Sequence, residues 1–126
     1  MAQVTVGWFE IPVGDMDRAI AFYEKVFNCK LNKQMMGDFQ MAWFPFSENG
    51  KGAEGSLVYH KEFYEPSGKA GALIYFSSED CEVELGRVAG AGGTVQIPKR
   101  MITLDIGYMG VFLDSEGNRI AVHSQQ

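Results

Sequence analysis

Two side chains near the N-terminus are the first candidates for chemistry in this sequence. Trp8 and Glu10 lie two residues apart in "VTVGWFEIPVGD", residues 4–15, so a strand would place both on one face. A carboxylate beside a large aromatic ring can act as a general base or accept a hydrogen bond from a bound molecule. Glu10 could equally form a structural ion pair with a Lys or Arg, or face solvent or a second subunit.

The two histidines, His60 and His123, are the next candidates. They are predicted to lie at the ends of corresponding strands, and with Glu10 they would form the two-His, one-carboxylate set that binds iron. The competing interpretation places His123 at the rim of a cleft and His60 on the surface. The two cysteines, Cys29 and Cys81, are far apart in sequence and are predicted to be free thiols, as in a cytoplasmic protein.

Composition restricts the classes of partner. The chain has 126 residues and a net charge of −5, with no cluster of Lys and Arg, which argues against binding to nucleic acid or to an anionic membrane. No apolar run reaches the roughly 20 residues that span a bilayer. The start, "MAQVTVGW", lacks the features of a signal peptide. We therefore expect one domain over residues 1–126, located in the cytoplasm, whose partner is a small molecule.

An internal repeat organises the elements that would position these residues. The segment "WFEIPVGDMDRAIAFYEKVF" begins at Trp8, and "LIYFSSEDCEVELGRVAGAGG" begins at Leu73, 65 residues later. Each segment has the pattern of a strand, an acidic cap and an amphipathic helix. Asp15 and Asp80 are the predicted N-caps, and "GAGG", residues 90–93, is predicted to end the second helix.

Each half of the chain continues with three short predicted strands. They are predicted at 30–36, 39–45 and 56–60, and again at 94–97, 107–113 and 119–123, with turns at "SENGKG" and "DSEGN". The result is two β-α-β-β-β modules, at about 4–60 and 72–124, joined by an exposed linker, "KEFYEPSGKAG". We predict an α+β fold in which the modules, paired edge to edge, form a curved half-barrel sheet with an open cleft and the helices outside.

Motifs at both ends of the chain resemble a known superfamily. The N-terminal motif matches at Val13, Asp15, Arg18, Ala19, Phe22, Tyr23 and Phe27. The C-terminal "D-x-x-G-N-x-I" matches at Asp114, Gly117, Asn118 and Ile120, and "AGGTVQIPK", residues 91–99, matches a segment between them. The chain is similar to the vicinal oxygen chelate superfamily, which includes glyoxalase I, bleomycin-resistance proteins and extradiol dioxygenases.

The resemblance implies four positions for metal ligands, two in each half. In metal-using members these positions hold His, Glu or Gln, whereas here they hold Trp8, Ser56, Leu73 and Ala121. None of these side chains is a good ligand. We therefore predict no metal and no other cofactor, with a divalent ion at a shifted site as the alternative.

The resemblance and the residues together predict a metal-free small-molecule binding module with an aromatic-lined cleft. The predicted ligand-binding residues are Trp8, Ser56, Leu73, Tyr75, Ala121 and His123. The alternative is a lyase or isomerase related to lactoylglutathione lyase, with Glu10 as the base. Tyr75 could offer its hydroxyl to the ligand or only pack its ring.

The resemblance and the apolar segment "FQMAWFPF", residues 39–46, also predict a homodimer, with this segment or the first strand near the contact.

Overall fold

A computed structural model describes residues 4–46 and 50–126 as two β-α-β-β-β modules. The first module contains β1 (Trp8–Pro12), α1 (Met16–Phe27), β2 (Asn32–Met36), β3 (Phe39–Trp43) and β4 (Glu54–Tyr59). The second contains β5 (Ile74–Ser77), α2 (Cys81–Ala91), β6 (Thr94–Thr103), β7 (Gly107–Leu113) and β8 (Arg119–Ser124). The predicted fold class is confirmed. Residues 1–3 and 47–49, the latter within the predicted turn "SENGKG", lie outside the described residues.

Each module has its own mixed four-stranded sheet. Sheet A has the order β1-β4-β3-β2 and sheet B the order β5-β8-β7-β6. The 65-residue offset extends to the strand pairing, since Glu10 pairs with Ser56 in sheet A and Tyr75 pairs with Ala121 in sheet B.

The two sheets remain unclosed and separate. In the described part of the chain, no strand of one sheet is hydrogen-bonded to a strand of the other, so the edge-to-edge pairing that we expected is not formed. The modules meet through side chains instead, and the rings of Phe9 and Phe76 lie 5.7 Å apart in a T-shaped contact.

Both helices begin at their predicted capping residues, and the second helix ends within the predicted glycine segment. The Asp15 carboxylate accepts a hydrogen bond from the backbone N–H of Arg18 at 3.1 Å, and Asp80 accepts from that of Glu82 at 3.0 Å. These bonds satisfy backbone donors that have no partner within a helix. Helix α2 ends at Gly92, whose φ of 106° lies in the left-handed region that favours glycine.

One hydrophobic core serves both modules. The inner face of each sheet and one side of each helix contribute to it, and its largest buried side chains include Phe22, Tyr23 and Phe112. The hydroxyl of Tyr23 in α1 donates to the carboxylate of Asp114, beyond β7, at 2.5 Å. Because the inner faces share this core, the outer face of each sheet is turned away from it.

A carboxylate of the second module holds the start of α1. Glu116, in the turn between β7 and β8, accepts hydrogen bonds from the backbone N–H groups of Gly14 and Asp15, both at 2.8 Å, and from Nε of Arg18 at 2.7 Å. Burial by itself raises the pKa of Glu116, but these donors and the Ser115 hydroxyl outweigh it and lower the pKa to about 2. The contact therefore fixes the two modules to each other.

One strand is longer than its sequence pattern predicts. We expected it to end at residue 97, whereas β6 continues to Thr103, because register shifts between β6 and β7 accommodate Pro98.

Cys29 and Cys81 are free, as predicted. No helix in the described ranges is long and apolar enough to span a membrane.

Candidate functional site

The outer face of sheet A brings together an aromatic and polar group of residues. Pairing across β1, β4 and β3 sets Glu10 beside Ser56 and Ser56 beside Trp43, and alternation along β1 puts Trp8 on the same face as Glu10. Tyr64, from the linker, completes the group. We call these five residues the tryptophan face; it contains both tryptophans of the chain.

The contacts within the tryptophan face converge on Glu10. Its two carboxylate oxygens accept hydrogen bonds from Nε1 of Trp8, at 3.3 Å, and from the hydroxyl of Tyr64. Hydrogen bonding to Glu10 raises the pKa of Tyr64. No Lys or Arg among the described residues forms a salt bridge with Glu10, so this part of the structure does not contain the ion pair that we considered.

Two buried polar atoms of the tryptophan face have no hydrogen-bond partner in the described part of the chain. They are Nε1 of Trp43 and Oγ of Ser56, and Ser56 is 0% exposed. The indole ring of Trp8 covers this region, with its centroid 5.1 Å from that of Trp43 and an angle of 67° between the rings. A buried polar atom without a partner costs about 1–3 kcal/mol and calls for an explanation, of which a ligand site is one.

His60 positions Tyr64, which sequence reasoning had placed in an exposed linker. Its ring contacts those of Phe39 and Phe63, at centroid distances of 4.4 and 4.8 Å, and the two phenylalanine rings lie 6.2 Å from each other. Because Nδ1 accepts from the backbone N–H of Glu62, Nε2 carries the proton and points to Asp38 at 3.1 Å. The carbonyl of His60 accepts from the N–H of Tyr64.

The expectation that His60 lies on the surface is therefore wrong, because these contacts bury it. The signal that could have identified Tyr64 is "EFYEP", an aromatic pair inside a polar linker.

The other predicted site residues lie on the outer face of sheet B. Ala121 is fully buried in β8, and Leu73, directly before β5, packs with Met109 and Val111 around it. Tyr75, opposite Ala121, is 50% exposed. His123 is partly exposed, and Nε2 of its ring contacts the carbonyl of Ile106. This face is mainly apolar.

The predicted site residues thus form two groups. Trp8, Glu10 and Ser56 belong to the tryptophan face, whereas the others belong to sheet B, and no hydrogen bond or ring contact joins the groups in the described ranges.

A cavity of about 610 Å³ lies between the beginnings of β1 and β5, and it is lined by apolar side chains that include Phe9, Phe44 and Leu73. Its volume is typical of a ligand site, and its lining includes the predicted site residues Leu73 and Tyr75 and the charged residues Lys51 and Glu54.

The residues present do not fit the metal that the superfamily often binds. Of the four corresponding positions, Leu73 and Ala121 offer no donor atom, and Trp8 offers only an N–H group. Within residues 4–46 and 50–126, no three His, Cys, Asp or Glu side chains are close enough to hold a metal ion. The structure therefore does not assemble the set of His60, His123 and Glu10.

Comparison with known proteins defines the family. The family model of the Glyoxalase/Bleomycin resistance protein/Dioxygenase superfamily matches residues 5–122. The chain belongs to this superfamily. A search of curated proteins finds no significant match. The two-module architecture and the match over nearly the whole chain agree with the resemblance seen in the sequence motifs.

Solved structures of several other proteins share the fold. Glyoxalase I from Zea mays is 23% identical with a TM-score of 0.73, and the match covers 94% of this chain but 45% of the maize enzyme. TnmS3, an antibiotic binding protein from Streptomyces sp. CB03234, is 22% identical with a TM-score of 0.69, over 100% of this chain and 99% of that protein. The hypothetical protein SA1046 from S. aureus is 17% identical with a TM-score of 0.73, over 98% and 95%. This chain therefore spans less than half of the maize enzyme.

Proposed function

We propose that this protein is a small-molecule binding module, and that the tryptophan face binds an aromatic ligand. The proposal rests on two buried polar atoms, Nε1 of Trp43 and Oγ of Ser56, which have no hydrogen-bond partner among the described residues. Both belong to the same face as the accessible ring of Trp8. Aromatic walls with a few convergent polar groups are typical of ligand sites. TnmS3, which matches this chain over its full length, is an antibiotic binding protein.

The contacts of Glu10 favour binding over catalysis by this residue. A general base has to be directed at the proton that it removes. Both oxygens of Glu10 already accept hydrogen bonds, from Trp8 and Tyr64, which hold the carboxylate as a fixed acceptor. The absence of a metal remains a prediction, because it rests on the residue types at the four positions.

Intrinsic fluorescence can test the site directly, because both tryptophans of the chain belong to the tryptophan face. We expect acridine, a neutral planar aromatic, to quench the tryptophan emission in a saturable titration. The change Trp8→Ala should weaken binding of acridine at least about fivefold by calorimetry, since one stacked aromatic ring contributes roughly 1–3 kcal/mol.

Phe46→Ala is the matched control. Phe46 is an exposed aromatic residue that lines the cavity between β1 and β5 rather than the tryptophan face. Affinity should be unchanged in this variant. Acridine that fails to bind, or binding lost in Phe46→Ala and kept in Trp8→Ala, would show that the tryptophan face is not the ligand site.

We also propose a homodimer. Exposed large apolar side chains lie around sheet A, at Met35, Met36, Phe46 and Phe63, and on the β6–β7 hairpin, at Met101, Ile102, Leu104 and Ile106. Apolar surface of this kind commonly marks an interface, and a second copy would cover it by burying more than about 1,000 Å². Light scattering at low micromolar concentration should give the mass of two chains. The mass of one chain, unchanged by dilution, would refute the dimer.

A further inference from the structure

We infer that the ligand of the tryptophan face carries a positive charge, seated on the carboxylate of Glu10 between the rings of Trp8 and Tyr64. This inference rests on the proposed function and adds the chemical class of the ligand. Three observations support the inference: the negative charge of this face, the neutral groups that donate hydrogen bonds to Glu10, and the unpartnered polar atoms beside Glu10.

The strands of sheet A supply negative charge to this face and no positive charge. Glu10 and Glu54 both lie on the outer face of sheet A, because Glu54 pairs with Trp8 across β1 and β4. Lys33 is the one basic residue of β1 to β4, strands that the structure describes in full. It points to the other side of the sheet and pairs with Asp17 of α1 at 2.9 Å.

The groups that bind Glu10 leave its charge uncompensated. The indole N–H of Trp8 and the hydroxyl of Tyr64 are neutral donors, so they orient the carboxylate without neutralising it. A carboxylate has about four lone-pair sites, and two of them remain for a ligand. The faces of Trp and Tyr rings also attract cations, most strongly where water is excluded. The same small region therefore offers two attractions to a cation.

The unpartnered atoms indicate that this acidic face receives a ligand. Ser56 lies between Glu10 and Trp43 in the strand pairing, and its hydroxyl is fully buried without a partner among the described residues. An acceptor atom of the ligand can bond to that hydroxyl or to the indole N–H of Trp43. Buried polar atoms without partners call for an explanation, and a ligand that reaches them by displacing neighbouring side chains supplies one.

A pair of probes that differ by one charge tests the inference. N-methylacridinium is a permanent cation, and acridine has the same ring system but is mainly neutral at neutral pH. We expect calorimetry on the full chain to show that N-methylacridinium binds roughly tenfold more tightly than acridine. The preference should fall in high salt. The change Glu10→Gln should remove most of it.

Glu82→Gln is the matched control, because it removes the same charge from the exposed first turn of α2. It should leave the preference for the cation intact. If both probes bind with equal affinity and Trp8→Ala weakens both, the tryptophan face is a binding site but the inference about charge is wrong. A preference that survives Glu10→Gln also refutes the inference. If neither probe binds, the proposed function itself fails.

Discussion

Replacing Glu116 with Gln should destabilise the protein in a pH-dependent manner. The contacts of Glu116 with Gly14, Asp15 and Arg18 lower its pKa from 4.5 to about 2. At 1.36 kcal/mol for each pKa unit, this shift sets an upper limit of about 3 kcal/mol. Because the Arg18 side chain is 56% exposed, solvent screening reduces the expected loss to roughly 1.5 kcal/mol.

The sign of the pH dependence follows from the lowered pKa. The folded state binds the Glu116 proton more weakly than the unfolded state, so the stabilisation is fully present above about pH 4.5 and is lost as the pH falls towards about 2. Other titrating groups are common to the wild type and the variant. The difference between the two proteins therefore isolates Glu116.

Urea unfolding at neutral pH and near pH 3 measures this difference. We expect the free energies of unfolding of wild type and Glu116→Gln to differ by roughly 1.5 kcal/mol at neutral pH, and by less than half of that in acid. Glu82→Gln, an exposed change at the start of α2, should cost only a few tenths of a kcal/mol at either pH. A difference that stays constant across this range would refute the assigned role of Glu116.

Three further predictions concern packing and cofactors. Tyr23→Phe removes the hydroxyl that binds buried Asp114 and should cost about 1–3 kcal/mol in urea unfolding, whereas an unchanged midpoint would contradict this bond. Gly55→Ala places a Cβ 2.5 Å from ring atoms of Phe9 and should cost about 1–3 kcal/mol, while Gly86→Ala, in open space on α2, should be neutral or stabilising. Treatment with a chelator should change neither the unfolding midpoint nor the affinity for acridine. The metal-free prediction would be wrong if elemental analysis found one transition metal ion per chain and removal of that ion abolished binding.

The elements that local chemistry determines could be predicted from the sequence. Asp15 and Asp80 cap their helices because a carboxylate just before a helix satisfies free backbone donors whatever surrounds it. The 65-residue repeat fixes the strand pairing as well, since Glu10 with Ser56 and Tyr75 with Ala121 occupy corresponding positions. Periodicity and capping act over a few residues, and they are visible in a single sequence.

The docking of the modules and the full composition of the site could not be predicted in this way. The modules meet through contacts such as that of Phe9 with Phe76, which depend on side-chain shapes from distant parts of the chain. The same limit applies to Tyr64, which reaches Glu10 across 54 residues of sequence. Its approach depends on the packing of His60 against two phenylalanine rings, which no spacing rule encodes.

The single core shared by both modules has a consequence for how the protein unfolds. The side chains of Phe22 in α1 and Phe112 in β7 are buried in that one core, so separating the modules would expose both. Neither half can then lose its structure while the other keeps its own packing. Native-state hydrogen exchange should therefore find the same opening free energy for the most protected amides of α1 and α2. The repeated module is a unit of sequence, and the whole chain is the unit of cooperative unfolding.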